Sequence, residues 1–136
     1  MIERWIMPCS IKFYDVIKHF ESHNQIVWKK PYSIKKNDLV YIYVGRPYSE
    51  IKYRCRVVDD NLDEDTIKNN KYAVPRGRRF DYKYTLLELE CSYPEGTFKY
   101  LDLKEHGLTQ VQKQARVSKE LSDYLTSVED SLPESR

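Results

Sequence analysis

Asp38-Leu-Val-Tyr-Ile-Tyr-Val-Gly-Arg-Pro-Tyr-Ser-Glu-Ile-Lys-Tyr-Arg-Cys-Arg-Val-Val58 constrains the fold more than any other stretch. Leu39 to Val44 is aliphatic and aromatic throughout, which is the composition of a strand buried on both faces. Gly45-Arg46-Pro47-Tyr48-Ser49 is turn chemistry, because Gly allows positive φ and Pro fixes φ. From Glu50 to Val58 the pattern alternates: Ile51, Tyr53, Cys55 and Val57 fall on one face, Lys52, Arg54 and Arg56 on the other. This predicts a half-solvated strand with a basic outer face, paired with the first run as an antiparallel hairpin.

The rest of the chain supplies partners for that hairpin. Arg4 to Met7 reads as a short first strand ended by Pro8-Cys9-Ser10, with Ser10 placed to cap a helix. Phe13, Val16, Ile17 and Phe20 recur at helical spacing and predict an amphipathic helix over Tyr14 to Phe20. His19 and His23 stand one turn apart on it, a spacing that suits a metal, but no third ligand accompanies them. Ile26 to Trp28 is extended, Lys29 to Ser33 is a loop, and Ile34 to Asp38 is a polar turn into the hairpin. An acidic run, Asp59 to Asn70, connects to Tyr72 to Phe80, where Arg76, Arg78 and Arg79 mix with aromatics. Within the acidic run, Asp63 to Lys68 reads as a short helix. Tyr82 to Cys91 is the next strand, and Leu108 to Val128 reads as the final helix, followed by a polar tail over 131–136. The expected fold is α+β: one domain over 1–130, built on a curved mixed sheet of about five or six strands with flanking helices.

At 136 residues with 40% hydrophobic and 13% aromatic content, the chain can bury a single core. Its net charge of +2 is too small to imply a nucleic-acid partner by itself. Twelve tyrosines suit strands, and also suit stacking against bases. Cys9, Cys55 and Cys91 are far apart and odd in number, which points to a reducing, cytoplasmic setting and away from a disulfide framework or a zinc cluster. No apolar run approaches the roughly 20 residues of a membrane span. Neither a nucleophile–base pair nor a Gly-rich phosphate loop stands out. Glu90 with Asp102-Leu103-Lys104 has a loose likeness to a metal-nuclease pattern, but the upstream Pro-Asp of that pattern is missing. An enzyme is not expected, and no cofactor is implied.

Taken in order, the motifs Trp5-Ile-Met-Pro-Cys-Ser10, Val27-Trp28, Asn37-Asp38-Leu-Val-Tyr-Ile-Tyr43 and Ile51 to Val57 resemble the EVE-type domains of the PUA-like superfamily, relatives of YTH domains. Leu103-Lys-Glu-His-Gly-Leu-Thr-Gln-Val-Gln112 resembles the closing segment of EVE-like modules that accompany modification-dependent restriction nucleases. The resemblance covers about residues 4 to 125, and its specificity lies in the order of motifs that are individually weak. Asn37 departs from the family's usual Gly before the Asp, but Asn tolerates the left-handed conformation.

The resemblance implies a pseudobarrel whose pocket takes a modified base, flipped from DNA or splayed from RNA, between aromatic rings. The implied partner is nucleic acid, DNA ahead of RNA, with a methylated cytosine or adenine, alongside a nuclease or other effector. Trp28 is the first candidate wall, though its position suits a core Trp as well. Ser10 and Cys9 follow strand one, where the family's pocket is lined by backbone and small polar groups; Ser10 fits a plain cap equally. Tyr43, Tyr48 and Tyr32 are further walls, and Trp5, inside an apolar strand, fits either core or pocket. Asp38 reads as a shaper of its turn. Arg76, Arg78, Arg79, Lys29, Lys30 and Arg46 are the candidates for phosphate contact, since cations on the backbone position a nucleic acid without reading its sequence. The alternative is a protein-interaction or regulatory domain of the same fold that binds no base.

Overall fold

A run that is apolar on both sides needs cover on both sides, and Leu39–Val44 (β3) is buried at every position. The computed structural model describes residues 2–29, 33–62 and 84–132. The remaining strands are Arg4–Cys9 (β1), Gln25–Lys29 (β2), Glu50–Leu62 (β4), Tyr84–Ser92 (β5) and Ala115–Arg116 (β6); the helices are Val16–Ser22 (α1), Tyr100–Glu105 (α2) and Lys119–Ser131 (α3). The strands form one six-stranded sheet in the order β2-β5-β4-β3-β1-β6. β1 and β3 are parallel and all other pairings are antiparallel, so the sheet is mixed. A parallel pair needs a crossover, and α1 with β2 provides it.

The sheet curls until its edges meet. The Gln114 side-chain amide, just before β6, donates to the Lys29 carbonyl at the end of β2 at 2.7 Å, joining opposite edges across a seam. The inner core draws Trp5, Met7, Val40, Ile42, Cys55, Val57, Ile26 and Leu87 from five strands, and α1 closes onto it through Val16, Ile17 and Phe20. The outer core, Ile6, Tyr41, Tyr43, Ile51, Tyr93 and Phe98, is covered by Leu103 of α2 and by Leu121 and Leu125 of α3.

Four expectations are corrected. Ser10 does not cap α1: its carbonyl accepts from Phe13 and Tyr14 in a turn, and Asp15, whose Oδ1 accepts from the Lys18 N–H at 3.0 Å, is the cap. Ile51 does not share a face with Tyr53, because the β3–β4 register slips between Ile42 and Tyr43; Lys52 becomes the extra residue and Ile51 turns to the outer core. The basic face of β4 is not left to solvent. Arg54 pairs with Glu90 at 3.1 Å and Glu129 of α3 at 2.7 Å, and Arg56 pairs with Glu90 at 2.6 Å. The final helix is shorter than Leu108 to Val128, since α3 starts only after Ser118, whose hydroxyl accepts from the Leu121 N–H, and β6 occupies Ala115–Arg116. The short helix expected over Asp63 to Lys68 lies outside the described residues.

Candidate nucleic-acid interface

Two regions hold the residues singled out by the sequence. The first is the end of the sheet where β1 and β3 finish and β4 begins. Gly45 N–H donates to the Cys9 carbonyl at 2.9 Å, holding the turn against the end of β1, and the buried Cys9 thiol donates to the Tyr14 carbonyl at 3.5 Å. Ser10 and Arg46 are exposed there. Tyr48 is half-buried against the inner core, and the Lys52 ammonium lies 4.8 Å from its ring centroid. Tyr43, by contrast, faces the outer core: it is 5% exposed, its ring meets Tyr100 edge-on at 6.4 Å, and burial raises its phenol pKa. The sheet therefore separates Tyr43 from Cys9 and Tyr48.

This end also carries a buried acid that the sequence did not single out. Glu50 is 1% exposed; its Oε1 accepts from the Gly96 N–H at 2.8 Å, and its Oε2 lies 3.5 Å from Lys52 Nζ and 3.6 Å from Lys99 Nζ. Lys99 Nζ donates to the Tyr48 carbonyl at 3.2 Å. Only the β4 alternation hinted at Lys52; Lys99 arrives from a segment with no pattern linking it to the turn.

The second region is the seam. Trp28 is half-buried against the inner core, next to exposed Lys29 and the Gln114 bridge. Trp5 is 5% exposed, its indole N–H donates to Asp38 Oδ2 at 3.0 Å, and the Arg116 guanidinium stands 5.2 Å from its ring. Asp38 also accepts from the N–H groups of Glu3 and Lys35, each at 3.0 Å, so its carboxylate ties β1 to the turn before β3. Trp28 is thus the more open of the two tryptophans. Tyr32, Lys30, Arg76, Arg78 and Arg79 lie outside the described residues.

Between the regions, α1 holds a fixed histidine. His19 Nε2 is 2.7 Å from the Gln25 carbonyl, which only accepts, so this nitrogen carries the proton. Nδ1 then accepts from the Tyr14 hydroxyl at 2.6 Å. With both ring nitrogens occupied, the His19–His23 pair stacks at 5.0 Å rather than opening toward a metal; among the described residues no group of three or more His, Cys, Asp or Glu could hold one. Glu90 is committed to its arginines, while Asp102 and Lys104 are exposed on α2. Among the described residues no helix is long and apolar enough to cross a membrane.

No family model matches the sequence, and no curated protein matches it. Solved structures do. ASCH from Zymomonas mobilis superposes with a TM-score of 0.65 at 14% identity, covering 92% of this chain and 94% of that one. The DUF55 domain of human thymocyte nuclear protein 1 gives 0.64 at 12% identity, covering 95% of this chain and 99% of that one. The chain has a PUA-like fold. The same human protein, THYN1, in complex with 5-methylcytosine-containing DNA, gives a TM-score of 0.63 at 12% identity over 96% of this chain and 99% of that one. EVE-type and YTH domains share this PUA-like fold, and the expected fold class stands: a six-stranded mixed sheet with helices on its flanks.

Proposed function

We propose that this PUA-like chain is a non-catalytic nucleic-acid-binding module that reads a modified base, a methylated cytosine or adenine in DNA, flipped against an aromatic wall that includes Trp28. It would act beside a separate effector such as a nuclease. The observation that carries the reading is the likeness to THYN1 over nearly the whole chain, because that protein was crystallised with 5-methylcytosine-containing DNA. Trp28 supports it: half-buried at the seam beside exposed Lys29, it has ring surface to offer. Stacking on such a ring is worth about 1–3 kcal/mol per base. A methyl group adds only about 0.8 kcal/mol by area. Discrimination therefore also needs fixed polar groups at the base edge, which are costly to leave unpaired.

Labelled duplexes, unmodified or carrying 5-methylcytosine, 5-hydroxymethylcytosine or N6-methyladenine, test this by titration at low and moderate salt. One modified duplex is expected to bind more tightly, and Trp28→Ala is expected to lose about tenfold or more in affinity together with the preference. Binding that ignores modification and disappears with salt would leave a backbone binder. Absence of binding at low salt would sink the reading and favour the alternative, a protein-interaction domain of this fold. Phe13, before α1, and Leu101, on α2, each 71% exposed, are apolar side chains that such a partner could take.

A further inference from the structure

We propose that the ammonium groups of Lys52 and Lys99, set around buried Glu50, form a phosphate seat at the Gly45–Glu50 end of the sheet, and that it takes a phosphodiester of the bound nucleic acid. The inference rests on the nucleic-acid reading above. A carboxylate as deeply buried as Glu50 needs compensation, and one lysine would neutralise it. Here two approach the same oxygen, at 3.5 and 3.6 Å, and neither is drawn down into a hydrogen bond; Glu50 Oε2 has no hydrogen-bond partner among the described residues. The second ammonium leaves an excess positive charge, and exposed Arg46 in the adjoining turn adds to it.

Both lysines are already oriented. Lys52 rests over the Tyr48 ring, and Lys99 donates to the Tyr48 carbonyl at 3.2 Å. The acid beneath them is itself fixed by the Gly96 N–H, in a loop where Gly96 has a φ of 90°. An ammonium has three N–H donors, so each lysine keeps donors for an incoming anion. Because the buried acid has already restricted the two long side chains, less side-chain freedom remains to be lost when a phosphate arrives. Glu50 is then a positioning residue, and the seat flanks the Cys9–Ser10 end through the Gly45–Cys9 hydrogen bond.

The test compares wild type with Lys99→Gln, Lys99→Arg and Lys52→Gln, using modified and unmodified duplexes across a salt series, with thermal unfolding to confirm that each variant folds. Each Gln variant is expected to weaken both duplexes equally, by about threefold, and to lower the slope of log affinity against log salt by about one. Lys99→Arg is expected to keep the slope. Trp28→Ala is expected to do the reverse of the Gln variants, losing the preference with the slope intact. If wild type binds and folded Lys99→Gln changes neither affinity nor slope, the seat is overturned while the base-reading proposal stands. If wild type binds no duplex at any salt, both fall together.

Discussion

A histidine on the inner side of α1 is tolerated because its fold keeps it neutral. His19 is 7% exposed; burial lowers its pKa, the Gln25 carbonyl opposes that in part, and neighbouring His23 lowers it again. With the folded value below the ordinary 6.5, the unfolded chain takes up the proton more readily, so the contribution is intact above that pH and is lost as pH falls through it. Denaturant midpoints at about pH 7.5 and about pH 5.5 should show lower stability in acid, and His19→Gln should flatten part of that dependence. Equal pH dependence in both proteins would refute the assignment. At this scale the sequence was partly legible. Asn37 does take the left-handed conformation, with φ 78°, and Asp38 does shape its turn. Ser10 misled because Asp15, also a good cap, lies closer to the apolar face it serves. The burial of Glu50 had no local signal beyond Lys52, since Gly96 and Lys99 come from a distant segment.

Among the elements, α3 depends on one carboxylate. Glu129 accepts from the hydroxyls of Tyr93 and Tyr41 and from Arg54, with Arg4 at 4.0 Å, so it joins the helix to three strands and to the segment after β5. Both phenols have raised pKa values, chiefly through burial, and stay protonated as donors. Glu129→Ala would leave two buried hydroxyls without their acceptor and Arg54 with Glu90 alone, and is expected to cost about 2–4 kcal/mol in denaturant unfolding. It should also speed amide exchange along α3 more than along β3; uniform exchange would show that the helix is held by its apolar face instead. Leu39 to Val44 was readable because cover on both faces leaves an unbroken apolar run, and Glu50 to Val58 because one-sided burial imposes period two. The reading of Leu108 to Val128 as one helix ran through Gln112-Lys113-Gln114, and the Ser118 cap was the signal that would have divided it. The bulge at Lys52 breaks the period-two rule by one residue, which no local pattern reveals.

For the whole molecule, the class, mixed character and curl of the sheet followed from the motifs and the resemblance they carry, but the Gln114–Lys29 contact at its seam did not, because it joins segments with no pattern linking them. Gln114→Ala should lower stability by about 1 kcal/mol or less and accelerate amide exchange at the end of β2. No change in β2 exchange would mean that packing alone holds the seam. The same seam has a consequence for synthesis. Lys29 and Gln114 are 85 positions apart, and Gln25 waits 63 positions for Glu88 of β5. On the ribosome, β2 and its tryptophan therefore emerge well before the strand that completes their ladder. The hairpin of β3 and β4 can form while that edge stands open, so the nascent chain is most exposed to mispairing between the appearance of Trp28 and that of Leu87.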